Sequence, residues 1–435
     1  MYGESQLEGF TLAPDRRAAG LVQASERWGR LAYGAALAFV ANLYASPAFY
    51  WPEIFEKARL GVVTSAVCAL AVVMRRVTSG ERLRVGGPAA GFLLAYMAMI
   101  PLSLVWTISP DRTWDAIFDI AKLLVVYVAL LNALDTPGRV RVFLLVGALA
   151  TLAPSLGGIQ RWLAGDALVE GYRTAWRGNY ADPNRLAMGL VLFLPAAVLL
   201  ASQMKRPWWK ALLLFTAAAN VTAIVLTYSR SGTVALAAAL LLTFMRGRPR
   251  GKGLVLVGLA LVAVMAAAPR SFWTRQSTIA EYEEDPSFLG RERAYNMLQV
   301  IFEDRPLSGV GAGAFLDAWT RYAPLKALGQ HLIAHNIFME ILGELGIVAL
   351  ALFGIYCGWL LWRLWRAGGE TGGVAARALF AGLAGYLVCE LVNGYTRSFN
   401  LYTAFGVAMA VVIQTRLRRR LAADEADEAA PAPAT

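Results

Sequence analysis

Long apolar runs alternate with short polar links along almost the whole chain. Each run is close to the roughly 17 to 25 residues with which an α-helix crosses the hydrocarbon core of a bilayer. Inside lipid, such a run satisfies its backbone polar groups only as a helix. The pattern therefore predicts about twelve transmembrane helices, near residues 31–50, 58–74, 89–106, 115–134, 142–159, 186–202, 209–228, 231–245, 253–268, 337–362, 375–392 and 399–415.

The composition agrees with this pattern. Hydrophobic residues make up 57% of the 435 positions and charged residues 16%, and the mean hydropathy is +0.50. These values exclude an ordinary soluble enzyme. The predicted fold class is an all-α polytopic membrane protein, with a large helical loop late in the chain.

Lysine and arginine cluster in every second link, as they do in cytoplasmic loops. Both termini are then cytoplasmic, and the N-terminal segment lacks the apolar core of a cleavable signal. The predicted organisation comprises a cytoplasmic N-terminal segment, nine transmembrane helices, a periplasmic loop with helices, three further transmembrane helices and a disordered cytoplasmic tail. Their ranges are 1–30, 31–268, 269–335, 336–415 and 416–435.

The formal net charge of +11 comes from these clusters, so membrane lipids and not nucleic acid are the predicted surroundings. The three cysteines, Cys68, Cys357 and Cys389, are isolated inside apolar runs. They indicate neither a disulfide framework nor a thiolate metal site. With only two histidines in the chain, no metal site and no cofactor is predicted.

Arginines also occur in links predicted to be outside, against the positive-inside trend, which suggests an anionic ligand at that face. Arg230 stands between two apolar runs in TYSRSG, and Arg185 begins the sixth span after Asp182. Both could instead reach lipid headgroups. Arg291 and Arg293 fit the start of an amphipathic helix, where a solvated charged face is the alternative.

Both histidines lie where the long loop re-enters the membrane. His335 and Asn336 stand at the outer end of the tenth span, with Glu340 and Glu344 one and two turns deeper on the same helical face. An imidazole accepts a proton near neutral pH, so His335 is the candidate general base, ahead of His331. The alternative is an interfacial histidine without a catalytic role.

The glycine-rich run from Gly309 to Gly313 could suggest a dinucleotide-binding loop. Such a loop needs a strand before it and a helix after it, within a β-α-β unit. No such unit surrounds this run. The sequence therefore predicts a turn here.

Three segments in order, TYSRSG, LGRERAYNMLQVIFEDRPLSGVGAGAF and AHNIFMEILGELGI, resemble the signature region of the O-antigen ligase and polymerase superfamily, the WaaL and Wzy proteins. WRGNYADPNRLAMGL resembles the segment before the sixth span in ligase-type members. The resemblance covers about residues 170–350. The ligase pattern of His-Asn, nine residues and Gly-x-x-Gly matches at His335, Asn336 and Gly346, while Ala349 replaces the last glycine.

This resemblance implies a GT-C type glycosyltransferase of the bacterial inner membrane, with its active site on the periplasmic side. It implies transfer of a glycan from undecaprenyl diphosphate to an acceptor hydroxyl, with inversion and without a metal ion. Carried over by position, Arg230 and Arg185 would bind the diphosphate and His335 would be the base. Further candidates for substrate binding are Arg291, Arg321, Asn336 and Tyr228.

The favoured function is that of an O-antigen ligase, with lipid A-core as the acceptor in lipopolysaccharide biosynthesis. A Wzy-type polymerase is the alternative within the superfamily, and it would use a second lipid-linked glycan as acceptor. A polysaccharide transporter or flippase is the alternative outside it. That class predicts internal repeats and ionisable residues spread through the spans, whereas here the charges concentrate at one face.

Overall fold

The computed structural model describes residues 16–245, 270, 272–273, 286–322, 332–370 and 373–428. In these ranges the regular elements are helices, with one isolated bridge between Val169 and Arg173. The α-helices are α1 Arg16–Ala45, α2 Pro52–Phe55, α3 Leu60–Ser79, α4 Ala90–Leu102, α5 Pro110–Ala133, α6 Pro137–Ala150, α7 Leu152–Ala164, α8 Pro183–Ala201, α9 Pro207–Leu226, α10 Arg230–Met245, α11 Pro286–Asp304, α12 Trp319–Tyr322, α13 Ile337–Gly368, α14 Val374–Glu390 and α15 Phe399–Glu428.

Seven helical stretches in the described part of the chain are long and apolar enough to cross a membrane. Two shorter apolar helices, Ala90–Val105 and Arg230–Met245, accompany them. Every predicted span falls on one or two helices except 253–268, which lies outside the described residues. The predicted fold class, an all-α polytopic membrane protein, is confirmed.

The links gather at two opposite ends of the helix bundle. We call the odd end the links at residues 46–51, 103–109, 165–182, 227–229, 305–322, 332–336 and 391–398. The even end comprises the links at 80–89, 134–136, 202–206 and 369–370, beside which residues 415–420 of α15 lie. Contacts across the even end include the 2.7 Å ion pair of Arg75 with Asp135. Across the odd end, the Ile108 N–H donates to the Val310 carbonyl at 3.0 Å. The described links thus form two groups, and which side of the membrane each group faces stays a prediction from the charge pattern.

Two helices of the odd end begin at polar caps. The Asp182 carboxylate accepts hydrogen bonds from the backbone N–H groups of Asn184 and Arg185 at the start of α8. The Asn336 side chain accepts from Phe338 and Met339 at the start of α13. These oxygens satisfy N–H groups that have no partner within the helix. The caps set the positions at which Arg185 and His335 meet the membrane helices.

Helix α13 is broken at Gly346, whose φ is 79°. The chain at 306–311 pairs with the break: Val310 N–H donates to the Gly343 carbonyl at 2.9 Å and Gly311 N–H to the Glu344 carbonyl at 2.8 Å. A Cβ on Gly346 would lie 2.2 Å from the Leu307 carbonyl oxygen. Only glycine combines this φ with so close a backbone approach. The run from Gly309 to Gly313 has no regular secondary structure: it bends at Val310 and enters a turn at Ala312, in line with the predicted turn.

A small second core lies under α11 and α12. It contains Ala294, Met297, Leu298 and Ile301 from α11, together with Trp319 from α12. Partly buried side chains from the outer part of α13 pack against it. The late loop is therefore fastened to the outer half of the broken helix.

Candidate functional site

A cavity of about 350 Å³ opens at the odd end. Its walls come from the start of α8, the outer half of α13, the link between α14 and α15, and the turns that follow α11. The lining residues are Leu43, Asp119, Asn179, Arg185, Met188, Gly313, Phe315, Leu316, Ile333, Ala334, Glu340, Glu344, Gly394, Tyr395, Thr396, Arg397, Ser398, Phe399 and Asn400.

Charged side chains of both signs line this cavity. Arg397 donates from Nη1 to Glu344 Oε2 at 3.2 Å. One turn nearer the start of α13, Glu340 Oε1 accepts from the Thr396 hydroxyl at 2.7 Å. The i, i+4 spacing predicted both carboxylates on one helical face, and the structure places both in the cavity wall. Each of these membrane-helix carboxylates has a polar partner, as burial requires.

Arg185 lies in the first turn of α8 and lines the same cavity. Its guanidinium carbon is 3.9 Å from the centroid of the Tyr395 ring. This is a close cation–π contact, and it holds the charge against the link between α14 and α15. The two described arginines of the cavity lining are thus Arg185 and Arg397, from links far apart in sequence.

His335 stands at the edge of the cavity, directly after Ala334 of its lining. Its φ of 52° is uncommon for a residue with a side chain, and such strained backbone concentrates at functional sites. A Cβ on Gly394 would lie 3.4 Å from the His335 backbone nitrogen and 2.7 Å from Glu340 Oε2. Burial lowers the pKa of His335 and the nearby Arg291 charge lowers it further, against a raising effect of Asp182. The imidazole is therefore neutral near pH 7 and able to accept a proton.

The TYSRSG segment lies beside the wall that carries Arg185. Ser229 Oγ donates to Asn184 Oδ1 at 2.7 Å, and Asn393 Nδ2 donates to Ser231 Oγ at 3.1 Å. Arg230 is the half-buried first residue of α10, between these two serines. It is absent from the described lining of the cavity, so the structure brings the Arg230 motif to the site without placing Arg230 in its wall.

Tyr228 is buried in an aromatic cluster. Its ring packs edge-on against Tyr172 at 5.2 Å between centroids and against Phe272 at 5.9 Å. Its φ is 52°, which turns the chain sharply between α9 and α10. Tyr228 therefore shapes the TYSRSG turn through packing.

The other sequence candidates lie around the cavity. Arg291 is half-buried on α11 and acts on His335 through its charge. Arg321 is exposed, with its guanidinium carbon 5.6 Å from the centroid of the Tyr322 ring. The side-chain oxygen of Asn336 is engaged in capping α13. His331 lies outside the described residues.

Sequence reasoning missed Arg397 and Thr396. Arg397 is a lone arginine in NGYTRSFN, between two apolar runs and in a link predicted to be outside. The same criterion that singled out Arg230 would have found it. The sequence pattern could not have shown that Glu344 is the ion-pair partner of Arg397, because a complete helical hairpin separates the two residues.

Potential metal ligands do not cluster here: among the described residues, no group of three or more His, Cys, Asp or Glu side chains could hold a metal ion. The three cysteines are buried and unpaired with one another. The polar chemistry of the cavity therefore comes from arginines, carboxylates, hydroxyls and the adjacent imidazole.

Part of the chain matches a known protein family. Residues 211–354 match the family model described as O-Antigen ligase (Wzy_C). No curated protein sequence matches the chain. A chain of the solved structure described as "Structural coordination of polymerization and crosslinking by a peptidoglycan synthase complex" aligns with 75% of this chain and 97% of its own length, at 18% sequence identity and a TM-score of 0.42.

The matched segment contains Arg230, His335, Glu340 and Glu344, whereas Arg185 and Arg397 lie outside it. It thus includes the segments that carried the resemblance between TYSRSG and the start of α13. The match over residues 211–354 confirms, for this segment, the predicted resemblance to the O-antigen ligase and polymerase superfamily.

Proposed function

We propose that the protein is an O-antigen ligase. It transfers a glycan from undecaprenyl diphosphate to a sugar hydroxyl of lipid A-core at the periplasmic face of the inner membrane. The observation that carries this proposal is the cavity at the odd end, where two arginines and two membrane-helix carboxylates meet beside His335. The family domain supports a membrane glycosyltransferase with a lipid-linked glycan substrate.

In the proposed reaction, Arg185 stabilises the leaving group. When the bond between the anomeric carbon and the diphosphate oxygen breaks, negative charge develops on the diphosphate. A guanidinium held in place against Tyr395 meets that charge without reorganisation, and its fork of N–H donors matches phosphate oxygens. Arg230, beside the same wall, is the second arginine proposed for the diphosphate.

His335 is the proposed general base. Its neutral imidazole takes the proton of the acceptor hydroxyl while the hydroxyl oxygen bonds to the anomeric carbon. Attack from the side opposite the departing diphosphate inverts the configuration at that carbon. The lowered pKa of His335, caused by burial and by Arg291, keeps the imidazole in the proton-accepting form near pH 7.

Reconstituted transfer tests this function. Pure protein in vesicles receives an undecaprenyl-diphosphate-linked glycan, together with either lipid A-core or a second lipid-linked glycan as acceptor. Product on lipid A-core is the expected result. Product only on the lipid-linked acceptor would identify a polymerase, and transfer to neither acceptor would reject both forms of the proposal.

A further inference from the structure

The Arg397–Glu344 pair has hydrogen-bonding capacity left for a ligand. A guanidinium carries five N–H donors, and among the described residues the acceptor of Arg397 is Glu344. The Arg397 side chain is 23% exposed and lines the cavity. Glu344 contributes a carboxylate on the same wall, so a donor group and an acceptor group stand side by side, 3.2 Å apart.

The charge distribution disfavours a phosphate at this wall. Asp119, Glu340 and Glu344 are the carboxylates of the described lining, against the arginines Arg185 and Arg397. Glu340 and Glu344 lie one turn apart on α13, and both would repel an anion placed against Arg397. Arg185 is on α8, stacks on Tyr395 and has no described ion pair with these carboxylates, so it is the better of the two arginines for the proposed anion.

A neutral polyhydroxyl ligand suits the wall formed by α13. Each sugar hydroxyl both donates and accepts a hydrogen bond. Two neighbouring hydroxyls therefore complement a guanidinium and a carboxylate that stand next to each other, with Glu340 as a further acceptor. A volume of about 350 Å³ lies at the lower end of small-molecule pockets, roughly 300 to 1,000 Å³, and suits a small part of a glycan.

We propose that Arg397 and Glu344, together with Glu340, form a sugar subsite that binds vicinal hydroxyls of a neutral pyranose beside the diphosphate-binding Arg185. The inference rests on the proposed function in taking the ligand to be a glycan. It goes further by assigning recognition of the sugar ring to Arg397, which lies outside the matched family segment, and to Glu340 and Glu344, for which the resemblance implied no role. These residues position the glycan, and the reacting atoms remain those beside His335.

Binding without turnover tests the subsite. The full chain in lipid nanodiscs is titrated with methyl glucopyranoside, methyl mannopyranoside and methyl galactopyranoside by saturation-transfer NMR, and separately with inorganic pyrophosphate. Glu344→Gln and Arg397→Lys should weaken sugar binding about ten- to a hundredfold, the effect of losing a hydrogen bond to a charged group. Pyrophosphate binding should stay unchanged in both variants and fall in Arg185→Ala.

The variants need a control for folding, because removing one partner of a buried ion pair leaves the other charge uncompensated. The double variant Glu344→Gln/Arg397→Gln removes both charges, and thermal unfolding is measured for all variants. Glu370→Gln/Arg419→Gln removes an ion pair of the even end and should change neither sugar binding nor pyrophosphate binding. Deoxy sugars supply a test on the wild type alone: loss of one vicinal hydroxyl should weaken binding about tenfold or more.

Three results would overturn the subsite. They are sugar binding that is insensitive to the pair variants and to deoxygenation, pyrophosphate binding that falls with Arg397→Lys as far as sugar binding does, and no binding of any of the three glycosides to the wild type. Failure of transfer in the vesicle assay, with sugar binding intact, would count against the ligase function and leave the subsite standing.

Discussion

The odd end and the even end of the bundle both carry arginines and both contain a cavity, but the residues around each cavity differ. The even-end cavity has about 330 Å³ and is lined by Arg141, Glu370 and Arg418 among others. It is nearly as large as the odd-end cavity of about 350 Å³. Neither volume nor basic charge therefore identifies the site. The odd end differs because membrane-helix carboxylates, a broken helix and a strained histidine meet there.

The pairing of the arginines sharpens this contrast. At the even end, Arg75 of α3 and Arg139 of α6 share Asp135 at 2.7 and 3.0 Å, an arrangement that joins these two helices through the link before α6. At the odd end, Arg397 pairs with a carboxylate of a membrane helix and Arg185 with an aromatic ring. The even-end arginines thus pair with each other's neighbours in the helix bundle, whereas Arg185 and Arg397 line a cavity.

The largest expected difference between the ends is their accessibility from outside the cell. Asp166 is exposed at the odd end and Arg82 at the even end, and the native cysteines are buried. On intact spheroplasts, a cysteine at Asp166 should react with an impermeant maleimide and a cysteine at Arg82 should not. The reverse pattern would place the cavity on the cytoplasmic side and remove the proposed acceptor.

Loss of the imidazole should give the next largest effect. Removing a positioned general base typically costs about 100- to 10,000-fold in rate, so His335→Ala should be nearly inactive in the vesicle assay while still binding the lipid-linked donor. His331→Ala is the matched variant in the same loop and should remain active. A His335→Ala rate above about a tenth of the wild-type rate would leave the chemistry to arginine electrostatics and positioning.

Arginines that line the two cavities can be compared directly. Arg185→Ala should lower the initial transfer rate about 100- to 1,000-fold, as loss of a donor to developing negative charge does. Arg141→Ala, in the even-end cavity, should transfer normally. Arg185→Lys should recover only part of the rate, since an ammonium cannot form a forked pair. Equal losses at Arg185 and Arg141 would point to a general effect on folding or lipid contact.

The smallest expected effect is a change in the pH profile. If neutral His335 is the base, transfer falls as the pH drops through its pKa, which burial and Arg291 place below the ordinary value of 6.5. Arg291→Gln removes a charge that opposes protonation, so the acid limb should move to higher pH by less than about one unit. Arg293→Gln, an exposed neighbour on α11, is the control. If Arg291→Gln leaves the acid limb of the pH profile unchanged, the titration of His335 does not cause that limb.

Hydropathy predicted the helices, because it depends on single positions and their spacing. The sidedness that follows from the lysine–arginine asymmetry stays a prediction. The same holds for Glu340 and Glu344, which a helical period places on one face. Arg397 was missed, and the position of Arg230 outside the described cavity lining could not be foreseen. The positions of Arg397 and Arg230 relative to the cavity depend on which links are neighbours at one end of the bundle. Helix packing across the whole bundle decides those neighbours.

The break at Gly346 also changes how α13 can sit in a bilayer. At about 1.5 Å per residue, its 32 residues would extend about 48 Å as one straight helix, well beyond a hydrocarbon core of about 30 Å. The part from Ile347 to Gly368 alone covers about 33 Å, enough for the core. If that part fills the core, the outer part with Glu340 and Glu344 lies at headgroup depth, where the proposed lipid-anchored diphosphate and its sugar chain would both reach it.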